Sequence, residues 1–119
     1  LKTLMINRKY EPKKGRWALP TGFIRMDESV ENAAERALHE QTGVKEDVFL
    51  EQLYTFGTPD RNPETYIITI GYFAIVNSED VDISKTDDVA DVKWFPVKEH
   101  PDLAFDHEKI LDYAYKRLK

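Results

Sequence analysis

The most regular hydrophobic pattern in this chain of 119 residues predicts an α-helix in its second quarter. Apolar residues recur there at spacings of three and four positions, which places them on one face of a helix. That face consists of Val30, Ala33, Ala34, Ala37 and Leu38, and the polar Gln41 continues it. Asp27 or Ser29 can cap the start of this helix, and Gly43 can end it.

Shorter apolar segments predict the strands of a layered domain. Strand-like runs occupy residues 4–8, 23–24, 48–55 and 92–97, and a short apolar segment covers residues 17–19. The long apolar run at 66–76 predicts a central strand that is buried on both faces. A second helix is predicted after Asp106, which can cap it. Strands mixed with two helices place the chain in the α/β class.

Composition limits the compartment and the partners. The length fits one domain, and the absence of cysteine excludes disulfides and thiolate metal sites. A cysteine-free chain suits a reducing compartment, and we expect a cytoplasmic protein. The net charge is −5, and the only dense basic cluster, Lys13, Lys14 and Arg16, lies in a turn. We therefore expect no nucleic-acid binding by this domain alone, and no apolar run is long enough for a membrane span.

The start of the chain predicts that residues are missing. Leu1 precedes the first predicted strand directly. We therefore expect residues 1–119 to form one domain of a longer protein, with an incomplete first strand.

Residues 22–44 carry glycine, glutamate and arginine at a characteristic spacing. The matching positions are Gly22, Glu28, Arg36, Leu38, Glu40, Gly43 and Val44. They resemble the Nudix box, whose pattern is Gly, five residues, Glu, seven residues, then Arg-Glu-apolar-any-Glu-Glu-any-Gly-apolar. Ala37 and Gln41 replace two glutamates of that pattern. Even with two mismatches allowed, such a match arises by chance in this chain at about 10⁻³.

The resemblance extends over nearly the whole chain. Residues 17–20, 56–63 and 103–107 are similar to the Nudix branch that contains ADP-ribose pyrophosphatases and Nudix-related transcriptional regulators. It implies a Nudix fold, an α/β/α sandwich around a mixed β-sheet, and a homodimer. In the regulators a winged-helix DNA-binding domain follows the Nudix domain, and we expect such a domain to be missing here.

The family reaction implied by the resemblance is Mg²⁺-dependent hydrolysis of a diphosphate. Mg²⁺ prefers oxygen ligands, which three carboxylates on one helical face would supply. Only Glu40 remains of the three, so Glu40 is the candidate catalytic residue and metal ligand. The resemblance adds the carbonyl of Thr21 as a second metal ligand. Because loss of a positioned base costs about 10²–10⁴-fold in rate, the box predicts a weakened Mg²⁺ site and slow catalysis.

The remaining box residues have structural roles by resemblance. Glu28 and Arg36 are expected to pair, Gly22 allows a close approach of the chain, and Gly43 ends the helix. Acids that can substitute for the missing glutamates are Glu28, Glu31, Glu35 and Asp88, although Glu31, Glu35 and Asp88 also suit a solvated surface.

Other candidate ligand contacts lie outside the box. Arg8 and Arg61 can bind an anion or a ribose, or they can be solvated arginines. An adenine can stack on an aromatic side chain, and the candidates are Trp17, Phe23 and Tyr54, which equally suit a core. His39 and His107 are expected to be structural.

Three functions follow in order of preference. The first is a ligand-sensing Nudix domain of a transcriptional regulator, which binds ADP-ribose or a related phosphorylated metabolite with weak or no hydrolysis. The second is a Mg²⁺-dependent ADP-ribose pyrophosphatase, supported by the retained frame of the box. The third is an α/β interaction module outside the Nudix family. A Rossmann dehydrogenase is unsupported because the chain contains no G-x-G-x-x-G.

Overall fold

The computed structural model describes residues 1–61 and 65–118. Its strands are β1 (Lys2–Arg8), β2 (Trp17–Ala18), β3 (Glu51–Phe56), β4 (Thr69–Phe73) and β5 (Val89–Pro96). Its helices are α1 (Val30–Thr42) and α2 (His107–Leu118), with a 3-10 turn at Ser78–Asp80. Both predicted helices and the strand at 4–8 are confirmed. No helix in the described part of the chain is long and apolar enough to cross a membrane.

The strands form two antiparallel sheets. In the first, β1 lies between β2 and β5, and in the second, β3 pairs with β4. An isolated parallel bridge between Trp17 and Leu103 links β2 to the segment that leads into α2.

The first sheet is buried on both faces, as the adjacent buried residues of β1 show. Ile6 packs in a cluster with Val89 and Val92, whereas Met5 packs with Leu103 and Leu111. Successive residues of a strand point to opposite faces, so these are two separate layers of core. Leu111 belongs to α2, and α1 contacts β1 and β5. This layering agrees with the α/β class that the sequence predicts.

One predicted strand is absent from the structure, and another is shorter than predicted. Residues 23–24 form no strand, and both side chains are exposed, Phe23 to 80%. The carbonyl of Phe23 accepts a hydrogen bond from Arg36 instead of from a neighbouring strand. The central strand predicted at 66–76 shrinks to β4, which is only half-buried and pairs with β3 alone among the described residues. Ile75 and Val76 beyond it are exposed, so the apolar run overstates burial.

Candidate functional site

Helix α1 is held at both ends by the residues that the sequence suggests. Ser29, rather than Asp27, is the N-cap, and its hydroxyl accepts a hydrogen bond from the Asn32 amide at 3.1 Å. Gly43 has φ 74°, and a Cβ built there would lie 2.1 Å from Oγ of Ser84. A side chain at position 43 would therefore be strained and would collide with Ser84. These two ends fix the face of α1 that carries the box.

Arg36 is the centre of the box. Its guanidinium donates to both carboxylate oxygens of Glu28, through Nη2 at 2.6 Å and Nε at 3.0 Å. Nη1 donates to Oε1 of Glu40 at 2.9 Å, and Nη2 also donates to the carbonyl of Phe23 at 2.7 Å. Arg36 thus joins two box glutamates to the loop before α1.

The ion pair between Glu28 and Arg36 shifts both groups toward their charged forms. The hydrogen bonds from Arg36, followed by the one from the backbone N–H of Arg25, lower the pKa of Glu28 from 4.5 to about 2. The hydrogen bonds to Glu28 and then to Glu40 raise the pKa of Arg36 above its ordinary value. Glu28 is therefore ionised at neutral pH and only weakly basic, which makes it a poor proton acceptor for catalysis.

The two residues that replace box glutamates, Ala37 and Gln41, contact the loop that precedes α1. Gln41 Oε1 accepts a hydrogen bond from the backbone N–H of Thr21 at 2.8 Å. Ala37 is buried, and its Cβ lies 3.0 Å from an ideal Cβ built on Gly22. The structure therefore brings Thr21 and Gly22 against the face of α1 that carries the box. Whether the Thr21 carbonyl binds a metal stays a prediction.

Of the acids that are candidates to substitute for the missing glutamates, Glu28 lies beside Glu40, but both of its carboxylate oxygens are bound to Arg36. Glu35 is 3.5 Å from Nε2 of His39, and Asp88 is exposed in a loop. Within residues 1–61 and 65–118, no three histidine, aspartate or glutamate side chains are grouped so that they can hold a metal ion. Glu40 itself is paired with Arg36. The described residues therefore offer Mg²⁺ no group of three such ligands, and Glu40 is the one carboxylate left at the metal-ligand positions of α1.

Arg61 forms a buried ion pair and is not a solvated loop arginine. Its Nε and Nη2 each donate to one carboxylate oxygen of Asp106 at 2.8 Å, and Nη1 donates to the Ile67 carbonyl and the Thr69 hydroxyl. The side chains of Arg61 and Asp106 are only 7% and 12% exposed. Arg61 therefore ties its loop to β4 and to the start of α2. Asn62 and Pro63, which belong to the same predicted loop, lie outside the described residues.

Arg8 lies at the same end of α2. Its guanidinium carbon is 5.0 Å from the centroid of the Phe105 ring, and its Nε donates to the Pro12 carbonyl at 2.7 Å. Partial burial lowers the pKa of Arg8 below its ordinary value, although Arg8 stays charged near neutral pH. Phe105 has φ 56°, a rare conformation for an aromatic residue. Arg8 and Arg61 thus contact consecutive residues, Phe105 and Asp106.

His107, the first residue of α2, contacts the segment that leads into the box. Its Nδ1 accepts a hydrogen bond from the backbone N–H of Leu19 at 3.0 Å, and the residue is 5% exposed. Burial lowers the pKa of His107 from 6.5 to about 4. The imidazole is therefore neutral in the folded protein at neutral pH, with its proton on Nε2.

We expect the free energy of unfolding to fall on acidification between pH 6.5 and about 4, because the unfolded chain binds a proton at His107 before the folded protein does. The loss is on the order of 3 kcal/mol over that window. Urea titrations at a series of pH values measure it. His107→Asn keeps a hydrogen-bond acceptor near Nδ1 but does not titrate, so its stability should lack this component. An identical pH profile in the variant would contradict the assignment.

Three parts of the site are missed by sequence reasoning. Asp106 was expected only as a helix cap, yet its carboxylate binds Arg61. No sequence pattern marks Arg25, whose Nη2 lies 3.9 Å from Oε2 of Glu40. The bond between Gln41 and Thr21 has no pattern in sequence, because a contact between residues twenty positions apart depends on how the loop folds back. Of the candidate aromatics, Phe23 is exposed, and Tyr54 stacks on Tyr113.

A family model described as the NUDIX domain matches residues 2–117. The chain belongs to the Nudix family. This confirms the resemblance of the box and the expected fold class.

Two relatives in sequence represent the two branches that the sequence suggests. The chain is 39% identical to an ADP-ribose pyrophosphatase of Methanocaldococcus jannaschii, over 94% of this chain and 65% of the relative. It is 34% identical to the ADPR responsive transcriptional repressor NtrR of Acinetobacter baylyi, over 99% of this chain and 48% of the relative. The chain therefore spans about half to two thirds of the length of these relatives.

Solved structures of a Nudix regulator and of a Nudix pyrophosphatase are also similar to this chain. The Nudix domain of Shewanella oneidensis NrtR, in complex with ADP-ribose, superimposes with a TM-score of 0.86 at 36% identity, covering 99% of this chain and 78% of that one. A bifunctional NMN adenylyltransferase/ADP-ribose pyrophosphatase from Francisella tularensis, in complex with AMP and a manganese ion, gives 0.83 at 26% identity. The match covers 98% of this chain and 38% of that one.

Proposed function

We propose that this Nudix domain binds ADP-ribose or a closely related nucleoside diphosphate as the ligand-sensing part of a transcriptional regulator, with weak or no hydrolysis. The observation that carries the proposal is the state of the box. Its frame is intact in Gly22, Glu28 and Arg36, while the metal-binding face is reduced to Glu40. Of the three metal-ligand positions of the box on α1, only position 40 still offers a carboxylate to Mg²⁺.

The similarity to regulators supports this assignment. The Acinetobacter baylyi relative is an ADPR responsive repressor, and the Shewanella oneidensis Nudix domain binds ADP-ribose. In our proposal DNA is bound by another domain of the full-length protein and not by this one, whose net charge is −5. Two copies of the domain are proposed to associate as a homodimer.

The proposed ligand contacts outside the box are Arg8 and Arg61. Arg8 lies beside the partly exposed ring of Phe105, so a planar or anionic group can approach both side chains. Arg61 already makes four hydrogen bonds. Its main contribution in this proposal is therefore to hold the loop before β4 in place.

Hydrolysis of ADP-ribose is the second candidate function, favoured by the similarity to the Methanocaldococcus jannaschii pyrophosphatase. In that case Glu40 would be the catalytic residue. Its Oε1 is held by Nη1 of Arg36 at 2.9 Å, which leaves Oε2 as the oxygen that could bind a metal. A single carboxylate that is half engaged by an arginine supports a weak metal site and slow turnover.

Thermal unfolding with candidate ligands tests the binding assignment. At ADP-ribose concentrations about 100-fold above Kd, we expect about 2.7 kcal/mol of added stability and a corresponding rise in Tm. AMP and ribose 5-phosphate serve as controls because each carries one half of ADP-ribose with a single phosphate. No rise with ADP-ribose, or an equal rise with ribose 5-phosphate alone, would contradict the proposal.

A further inference from the structure

The three box positions that supply metal ligands in the family pattern, 37, 40 and 41, each make a contact within this chain. Ala37 is buried against Gly22. The side-chain oxygen of Gln41 accepts the N–H of Thr21 at 2.8 Å. Oε1 of Glu40 accepts from Arg36 at 2.9 Å. A cation at this face would therefore find a single carboxylate, Glu40, whose Oε1 is bound to Arg36 and whose Oε2 lies 3.9 Å from Nη2 of Arg25.

The charges at this face already balance. The cluster contains two arginines, Arg25 and Arg36, and two glutamates, Glu28 and Glu40, so its formal charge is zero. With glutamates at positions 37 and 41, as in the family pattern, the same cluster would carry −2. Carboxylates in such excess repel a diphosphate unless a cation lies between them. The present cluster has no such excess, so a diphosphate can approach it without a metal ion.

Arg25 is the cation of this cluster that is best placed for a ligand. Arg36 is mostly buried and makes two hydrogen bonds to Glu28, one to Glu40 and one to the Phe23 carbonyl. The side chain of Arg25 is 61% exposed, and its Nη2 is 3.9 Å from Glu40, too long for a hydrogen bond. The backbone of Arg25 is fixed by its N–H bond to Glu28 at 2.9 Å. Its guanidinium can therefore turn to a phosphate without a change in the loop, and it suits bidentate binding of phosphate oxygens.

We propose that the Nudix box of this chain binds the diphosphate of its ligand without a divalent cation, with the Arg25 guanidinium as the positive charge that contacts the phosphates. The part concerning the ligand rests on the proposed function. The part concerning the metal rests only on how Glu40, Gln41 and Ala37 are engaged.

The metal part is tested by titration of Mn²⁺ into the protein without ligand, followed by electron paramagnetic resonance of the free ion. We expect no saturable binding at the box below about 1 mM, because a single carboxylate paired with an arginine is a poor site. As the positive control, the Ala37→Glu/Gln41→Glu variant should bind Mn²⁺ more tightly. Saturable binding to the unchanged protein that disappears in Glu40→Gln would overturn the metal part, whether or not ADP-ribose binds.

The ligand part is tested by calorimetric titration of ADP-ribose in EDTA and in Mg²⁺. The two affinities should agree within about twofold. Arg25→Ala should weaken binding by about tenfold or more, the range for loss of a charge-assisted hydrogen bond. Arg25→Lys should recover part of the loss. Arg16→Ala, which removes an exposed arginine from the turn before β2, is the matched control and should bind as the unchanged protein does.

Each outcome of these titrations has a separate meaning. Binding that needs Mg²⁺, or that is unchanged in Arg25→Ala, would overturn the proposal while leaving ADP-ribose as the ligand. Absence of ADP-ribose binding under every condition would contradict the proposed function, and the Mn²⁺ titration would still decide the metal part. Thermal unfolding of each variant establishes that it is folded.

Discussion

Replacement of Arg61 by alanine is expected to lower the free energy of unfolding by about 3–5 kcal/mol, the usual cost of leaving one partner of a buried ion pair uncompensated. Asp106, whose side chain is 12% exposed beside Arg61, would lose both hydrogen bonds from it. The Ile67 carbonyl and the Thr69 hydroxyl would lose a donor as well. Urea denaturation, with the midpoint and slope both reported, measures the loss.

Controls separate the ion pair from the general cost of removing an arginine. Arg16→Ala removes an exposed arginine and should change stability by no more than about 0.5 kcal/mol. Arg61→Met combined with Asp106→Leu removes both charges and should be more stable than Arg61→Ala, because no unpaired charge stays buried. A loss below about 1 kcal/mol for Arg61→Ala would show that Arg61 is more weakly bound than the distances indicate.

Restoring the two missing glutamates is the change with the largest expected effect on catalysis. In the Ala37→Glu/Gln41→Glu variant, we expect hydrolysis of ADP-ribose with Mg²⁺ to rise by about 10²-fold or more, the typical contribution of a positioned general base. Glutamate at 41 can still accept the N–H of Thr21, as Gln41 does. Position 37 is buried against Gly22, so a glutamate there requires the loop at Gly22 to move away from α1. Release of AMP, followed by chromatography, measures the rate.

The matched control for the restored box is the same variant with Glu40→Gln added. This triple variant should return to the low rate of the unchanged protein, because the restored acids act together with Glu40. If the double variant gains no activity while still binding ADP-ribose, the geometry of the site has also diverged from that of active family members. In that case the missing glutamates alone would not explain slow catalysis.

The features that the sequence predicts correctly are those whose pattern lies within one short segment of the chain. Helix α1 is predictable because its apolar spacing, the Ser29 cap and Gly43 all lie within one segment. The box itself is also local, so the pairing of Glu28 with Arg36 can be expected from spacing and family resemblance. These features need no knowledge of the rest of the fold.

Other features depend on contacts between distant segments, and these were missed or misread. The apolar run at 66–76 looks like a central strand, but burial depends on which strands lie beside it, and β4 pairs only with β3 in the described residues. Arg61 looks like a free loop cation until the fold places Asp106 next to it, 45 positions away. Phe23 lies in an apolar dipeptide, yet Arg36 takes its carbonyl and its side chain stays exposed.

If this Nudix domain is a sensor, it binds an ADP-ribose-type ligand but hydrolyses it slowly. Phosphorus-31 nuclear magnetic resonance of ADP-ribose with this protein and Mg²⁺, run beside the Methanocaldococcus jannaschii pyrophosphatase, tests it most directly. We predict that ADP-ribose signals shift or broaden on binding while cleavage is at least ~100-fold slower than with that relative. Cleavage at a comparable rate, abolished by Glu40→Gln, would contradict the claim.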